Sequence, residues 1–247
     1  MTRHEDSARS SHYPGEDTML LQELSRTSGV SVASIKYYRR EGLLPPGERL
    51  TATRFDYGPR HRDRLDLIQV LREAAGSSIA EIRALCAVLD DPDRPIIAAL
   101  EIAQALALRV PAQSLRDEVP QDEDPRIAPL LAELGWPDVP TVPRTALDAL
   151  LREMRSMEIP VSPESLLRYA RPMARIAAED LEDIRRPGGA PQEEAPSPDV
   201  IVMRAVVGSL AFARLLVVLR ALGHASLTLS DAGLSRTHDG SAPPRDG

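Results

Sequence analysis

The chain has 247 residues, enough for one large domain or two small ones, and 43% of its residues are hydrophobic but only 3% aromatic. This aliphatic composition favours helices, and the single cysteine, Cys86, excludes a disulfide within one chain and a multi-cysteine zinc site. The net charge of −7 is unevenly divided, since residues 18–85 hold 11 basic against 8 acidic side chains and residues 86–247 hold 17 against 25. This division indicates a basic nucleic-acid-binding module attached to an acidic body.

The N-terminal residues 1–17 are polar and lack hydrophobic periodicity, which predicts a disordered tail. They contain no apolar stretch of the kind found in a secretory signal. We therefore predict a cytoplasmic protein.

Two short helices joined by a glycine turn are predicted next. The first covers residues 20–26, and the turn covers residues 27–30. The second begins at Ser31, a typical N-cap, and ends at Gly42, which can adopt a left-handed conformation. It carries the run KYYRR at residues 36–40, three cations and two tyrosines in five positions. These are the ingredients of a helix-turn-helix whose second helix enters the major groove of DNA.

The residues after this helix strengthen the prediction. The segment GVSVASIKYYRREGLLPP (29–46), a wing at residues 47–57 and the segment RHRDRLDLIQVLREAAGSSIAEIRALC (60–86) resemble the MerR family of transcriptional regulators. The resemblance implies a winged helix-turn-helix over residues 18–90. It further implies a homodimer that binds an inverted repeat in a promoter, alters the promoter geometry and changes access for RNA polymerase.

Candidate DNA contacts lie on the second helix, in the wing and at the start of the next helix. Cations there can neutralise phosphates or reach guanine edges, and a tyrosine hydroxyl can position against phosphate. We expect Tyr38 to pack inward. The family pattern G-Y-R-x-Y in the wing is not kept, because Phe55 takes the arginine position and Arg54 is displaced by one. The predicted contacts are Ser34, Lys36, Tyr37, Arg39, Arg40, Arg49, Arg54 and Arg60.

The remainder of the chain predicts a mainly α-helical protein. Ser77 or Ser78 caps a helix with Ile82 and Leu85 on its inner face. Residues 91–110 form a dimerisation or linker helix, and residues 111–225 form an all-helical effector or dimerisation domain. Within that domain, residues 110–125 and 186–198 are rich in proline and acidic residues and are interpreted as linkers. Residues 226–247 are predicted to be a second disordered tail.

Two functions are open for the C-terminal half. It responds to a small apolar effector, or it acts without a ligand and only dimerises or binds a protein partner. The candidate lining of an effector pocket comprises Trp136, Met154, Met157, Tyr169, Met173 and Phe212. An appended enzyme is not predicted, because the sequence has no glycine-rich phosphate loop or nucleophile motif. Neither a metal nor a cofactor is predicted, because a sensor of soft metal ions needs several thiolates.

One predicted helix, residues 199–222, is long and apolar enough to cross a membrane. Its arginines, Arg204, Arg214 and Arg220, argue against that, since each costs roughly 2.5–3.5 kcal/mol near a bilayer centre. We expect no membrane partner and interpret this segment as a buried or dimer-interface helix.

Overall fold

The computed structural model describes residues 19–49, 51, 55–110, 119–185 and 195–231. The chain separates into two compact units, residues 1–207 and 208–247. The predicted N-terminal tail, Arg54, residues 111–118 and 186–194 of the predicted linkers, and the chain after residue 231 lie outside the described residues.

Within the described residues, the N-terminal part of the first unit contains four helices and a hairpin. In chain order these are α1 Leu21–Ser28, α2 Val32–Arg40, β1 Glu48–Arg49, β2 Phe55–Asp56, α3 Pro59–Glu73 and α4 Ile79–Asp90. The strands pair antiparallel, with Glu48 opposite Asp56. Met19 forms an antiparallel bridge to Tyr57 through two backbone hydrogen bonds of 2.9 Å. The chain entering α1 is thus fixed to the end of the hairpin. We call residues 19–90 the head.

The core of the head comes from the apolar faces predicted for its helices. Fully buried side chains of α1 to α4 include Leu24, Ile35, Leu65, Leu67, Ile68, Leu71, Ile82 and Leu85. Ser78, not Ser77, is the cap of α4, and it forms a capping box with Glu81. Leu20 precedes α1 without any side-chain cap. Burial of these aliphatic faces therefore holds α1 in place despite its missing cap.

Four further helices of the first unit lie in the part of the chain that the structure describes up to residue 185. They are α5 Ile96–Ala107, α6 Ile127–Leu134, α7 Val142–Ser156 and α8 Pro163–Arg185. Helix α5 packs against α4 and α7, and α6 packs against α7 and α8. Helix α8 continues through Pro172, and its apolar side chains are only partly covered, since Leu181 is 49% exposed. The prediction of a mainly α-helical chain is confirmed.

The last helix, α9, extends over Pro198–Asp231. In the first unit, Asp199, Val202 and Val206 are buried on one face. In the second unit its large apolar side chains are exposed, so from residue 208 onward the single chain does not bury this helix, and the dimer-interface alternative of the prediction stays open. The helix also continues six residues into the predicted C-terminal tail, where Leu227 and Leu229 extend its apolar pattern. By length and composition alone α9 could cross a membrane.

Candidate nucleic-acid interface

Helix α2 presents Lys36 and Arg40 to solvent and Tyr38 to the core of the head. The hydroxyl of Ser31 accepts a hydrogen bond from the Ser34 backbone N–H at 3.1 Å, and Gly42 ends the helix with φ +73°. Both predicted caps are confirmed. Lys36 and Arg40 lie four residues apart on one exposed face. Two unburied cations on a capped helix form a surface suited to phosphates.

Tyr38 packs inward, as predicted. Its side chain is 5% exposed, and its hydroxyl accepts a hydrogen bond from Arg72 of α3 at 2.9 Å. Tyr37 stays half-buried at the surface, and the guanidinium of Arg40 lies 5.4 Å from the centre of its ring. This stacking limits the orientations of Arg40 while leaving its charge in solvent.

Arg39 connects α2 to the hairpin. Its Nη1 donates a hydrogen bond to the Tyr57 hydroxyl at 2.8 Å, and its guanidinium lies 4.8 Å from the centre of the Phe55 ring. Phe55 stands where the family pattern has an arginine, and its ring supplies the aromatic face against which Arg39 packs. These contacts occupy Arg39 with positioning the wing. The sequence did not predict this role, because it shows Arg39 only as one of three neighbouring cations and not its contact with Tyr57.

His61 joins the end of the wing to the start of α3. Its Nδ1 accepts the Gly58 backbone N–H at 3.0 Å, and its ring meets the Tyr57 ring edge-on at 5.1 Å. Burial lowers the pKa of His61 below its usual 6.5, outweighing backbone hydrogen bonds that raise it. A neutral imidazole is what the Nδ1 contact requires, because a protonated ring cannot accept there.

An open groove of about 640 Å³ lies beside α2. Lys36, Arg39 and Arg40 line it together with residues of the segment that follows the helix. Asp90 also reaches this groove, but Arg64 holds its carboxylate. The groove thus concentrates basic side chains at the surface formed by α2 and the segment that leads into the wing.

The remaining predicted contacts that the structure describes do not line this groove. Ser34 is half-buried, and its hydroxyl lies 2.9 Å from that of Ser31. Arg49 is exposed on β1, where its Nε donates to the Thr51 carbonyl at 3.1 Å. Arg60 is exposed in the first turn of α3. The structure therefore places Lys36 and Arg40 at the groove and leaves Arg49 and Arg60 on the wing side of the head.

A buried ion network ties the head to the start of α9. Arg64 is 3% exposed, and its Nε contacts the buried carboxylate of Asp199. Its Nη2 donates to Asp90 at 2.7 Å. Burial opposes the charge of Arg64, but the hydrogen bonds to Asp90 and Asp199 outweigh it and raise the pKa of the guanidinium. Arg64 lies within the apolar face of α3, and an arginine at such a position indicates an acidic partner. The sequence did not show that this partner is Asp199, 135 residues further along the chain.

The predicted effector-pocket residues are largely on the surface. Tyr169 is 52%, Met157 56% and Phe212 64% exposed, Trp136 is exposed as well, and Met154 and Met173 are half-buried. A cleft of about 240 Å³ lies elsewhere, between the segment before α6 and helix α7. Arg144 and Arg152 line it, and each pairs with carboxylates of the same region. The cleft is polar, whereas the predicted lining was apolar.

Cys86 is fully buried on α4. Burial raises the pKa of its thiol to about 11. Among the residues that the structure describes, no three side chains of histidine, cysteine, aspartate or glutamate are grouped so that they could hold a metal ion. Cys86 therefore behaves as a small core residue.

Comparison with known proteins agrees with this geometry. The family model described as MerR HTH family regulatory protein matches residues 19–89. A protein of Haemophilus influenzae named HTH-type transcriptional regulator ZntR homolog is 30% identical over 122 residues, which is 43% of this chain and 88% of the relative. The crystal structure of the transcriptional regulator SCO5550 from Streptomyces coelicolor A3(2) is similar over 88% of this chain and 99% of that one, with 28% identity and a TM-score of 0.54.

Proposed function

This chain belongs to the MerR family of helix-turn-helix transcriptional regulators, and we propose that it binds an inverted-repeat promoter element as a homodimer. One head occupies each half of the repeat. The observation that carries this proposal is the groove of Lys36 and Arg40 beside a wing that Arg39 holds in place. Double-stranded DNA is the partner with the charge and the groove width for such a surface.

The contacts suggest a division of labour at the DNA. Lys36 and Arg40 approach phosphates or base edges in the major groove, with Ser34 and Tyr37 beside them. Arg49 of the wing and Arg60 at the start of α3 approach the DNA backbone, and Arg54 stays a contact predicted from the sequence. Arg39 acts as a positioning residue through Tyr57. The two heads bend or untwist the promoter and so change the access of RNA polymerase to it. We place this activity in the cytoplasm. Deforming 20–30 bp costs on the order of 1–6 kcal/mol, within reach of such contacts.

For the C-terminal half, the structure favours the second role predicted from the sequence, dimerisation or binding of a protein partner without a ligand. The arginines of the polar cleft of about 240 Å³ already pair with carboxylates of the same region. Exposed apolar side chains on α7 and α8, such as Leu150 and Leu181, are suited to a protein contact. A stoichiometric small molecule in native mass spectra of the protein from its own host would instead support the effector role.

The proposed function is tested by a genomic binding map made with the tagged full chain, followed by footprinting of the enriched sites. We expect protection of two half-sites related by twofold symmetry. The Lys36→Ala/Arg40→Ala variant should lose the enrichment, because it removes both exposed cations of the groove. Enrichment that persists in this variant, or protection of one asymmetric site, would contradict the proposal.

A further inference from the structure

The second unit exposes an apolar helix surface. Between Gly208 and Ser230, helix α9 buries none of its side chains, although many of them are large and aliphatic. A monomeric soluble protein rarely exposes a contiguous apolar patch larger than a few hundred Å². Something therefore covers this helix in the working protein.

The apolar side chains follow a seven-residue repeat. Phe212, Leu215, Leu219, Leu222, Ser226 and Leu229 recur at alternating spacings of three and four residues. Leu216 and Val218 flank this line. With the exception of Ser226, every position on it is apolar. Such alternation is the signature of a seam that packs against another helix. We call these eight residues the α9 seam.

The charged residues lie on the opposite side. At about 100° per residue, Arg214, Arg220 and His224 each lie more than roughly 100° around the helix from the centre of the α9 seam. Val217, 69% exposed, lies almost directly opposite it. The charged residues therefore avoid the α9 seam, although Val217 and Leu227 are exposed apolar side chains outside it.

A lipid bilayer fits this arrangement less well than a helix does. Crossing a membrane needs about 20 residues, and every stretch of that length within Gly208–Asp231 contains both Arg214 and Arg220. Both charges would enter the hydrocarbon, whereas a helical partner on the α9 seam leaves both in water.

The size of the seam fits a second copy of the same chain. Its seven apolar members are 38–64% exposed and together present on the order of 600 Å² per helix, close to the roughly 800 Å² per partner of a stable interface. A seam that repeats every seven residues can pack against its own copy through the same positions. Resting on the proposed inverted-repeat binding, which calls for two copies, we propose that the α9 seam is the homodimer interface.

The test uses the full chain and two matched variants. Leu219→Glu places a carboxylate in the α9 seam, and Val217→Glu places the same group one half-turn away at a similarly exposed position. Both sites are open in the single chain, so neither change should unfold it. Light scattering and sedimentation at micromolar concentration should show a dimer for the wild type and for Val217→Glu. For Leu219→Glu we expect a monomer, with a dissociation constant raised at least 100-fold.

Other outcomes overturn the inference. A wild-type monomer, a Leu219→Glu protein that stays dimeric, or two variants affected equally would each do so. Flotation of the wild type with vesicles of phosphatidylethanolamine and phosphatidylglycerol would identify a membrane segment instead. The proposed function fails separately: a wild-type dimer that Leu219→Glu dissociates, but that protects no DNA, would support the interface and reject inverted-repeat binding.

Discussion

The network of Arg64, Asp90 and Asp199 offers the sharpest stability prediction. Asp199→Ala leaves the Nε of a guanidinium that is only 3% exposed without its carboxylate, while the hydrogen bonds to Asp90 and to the Leu43 carbonyl remain. Removing one partner of a buried ion pair costs about 3–5 kcal/mol. Because two other acceptors stay, we expect the lower end, about 3 kcal/mol.

Two further variants sharpen this prediction. The side chain of Asp90 is 45% exposed, so water can replace it, and Asp90→Ala should cost only about 1 kcal/mol. In the double variant Arg64→Met/Asp199→Leu the buried charge is gone with its partner. We expect its stability to return to within about 1 kcal/mol of the wild type, since apolar replacement of a buried pair is often neutral.

The assay is urea unfolding followed by circular dichroism, with amide exchange of α3 to locate the loss in the head. A cost below about 1 kcal/mol for Asp199→Ala would refute the reasoning. So would a double variant whose loss equals the sum of its two single changes, since a coupled pair must deviate from additivity.

Two other predictions concern the wing. Burial lowers the pKa of His61, so just below pH 6.5 the unfolded chain binds more protons than the folded chain. The stability should therefore rise with pH through that window and fall on acidification. Urea midpoints measured from about pH 5 to 7.5 should show this slope, and His61→Asn should flatten it. An equal slope in both proteins would contradict the assignment. A Cβ on Gly47 would lie 2.5 Å from the Asp56 carbonyl oxygen, so Gly47→Ala should lower the free energy of unfolding by about 1–3 kcal/mol. The control is Gly58→Ala, whose Cβ meets nothing within 4 Å and which should lower it by less than about 1 kcal/mol in the same assay. Equal costs would show that the hairpin tolerates the extra atom.

The local features of the head were predictable because neighbouring residues determine them. Ser31 and Gly42 define α2 through caps that need only a few residues of chain, and Tyr38 follows from the side of the helix it occupies. Helix α5 begins directly after Pro95, which can precede a helix but not continue one from its interior.

Features that depend on distant contacts were not predictable in the same way. The role of Arg39 requires Tyr57, 18 residues on, and that of Arg64 requires Asp199, 135 residues on. The sequence predicted that the C-terminal half is helical but not which surfaces of its helices pack against each other. For that reason the sequence predicted Met157, Tyr169 and Phe212 to line a pocket. In the structure these three side chains lie at the surface.

The central claim is that the cations of the α2 groove read DNA, and the salt dependence of binding tests it most directly. Affinity for a footprinted operator duplex is measured by fluorescence anisotropy over a range of KCl concentrations. The control is Arg168→Ala/Arg175→Ala, which removes two exposed charges from α8. We expect Lys36→Ala/Arg40→Ala to weaken binding and to reduce the slope of log affinity against log salt by about 1–2, since each phosphate contact contributes about 0.9. An unchanged affinity and slope, or an equal change in the control, would contradict the account.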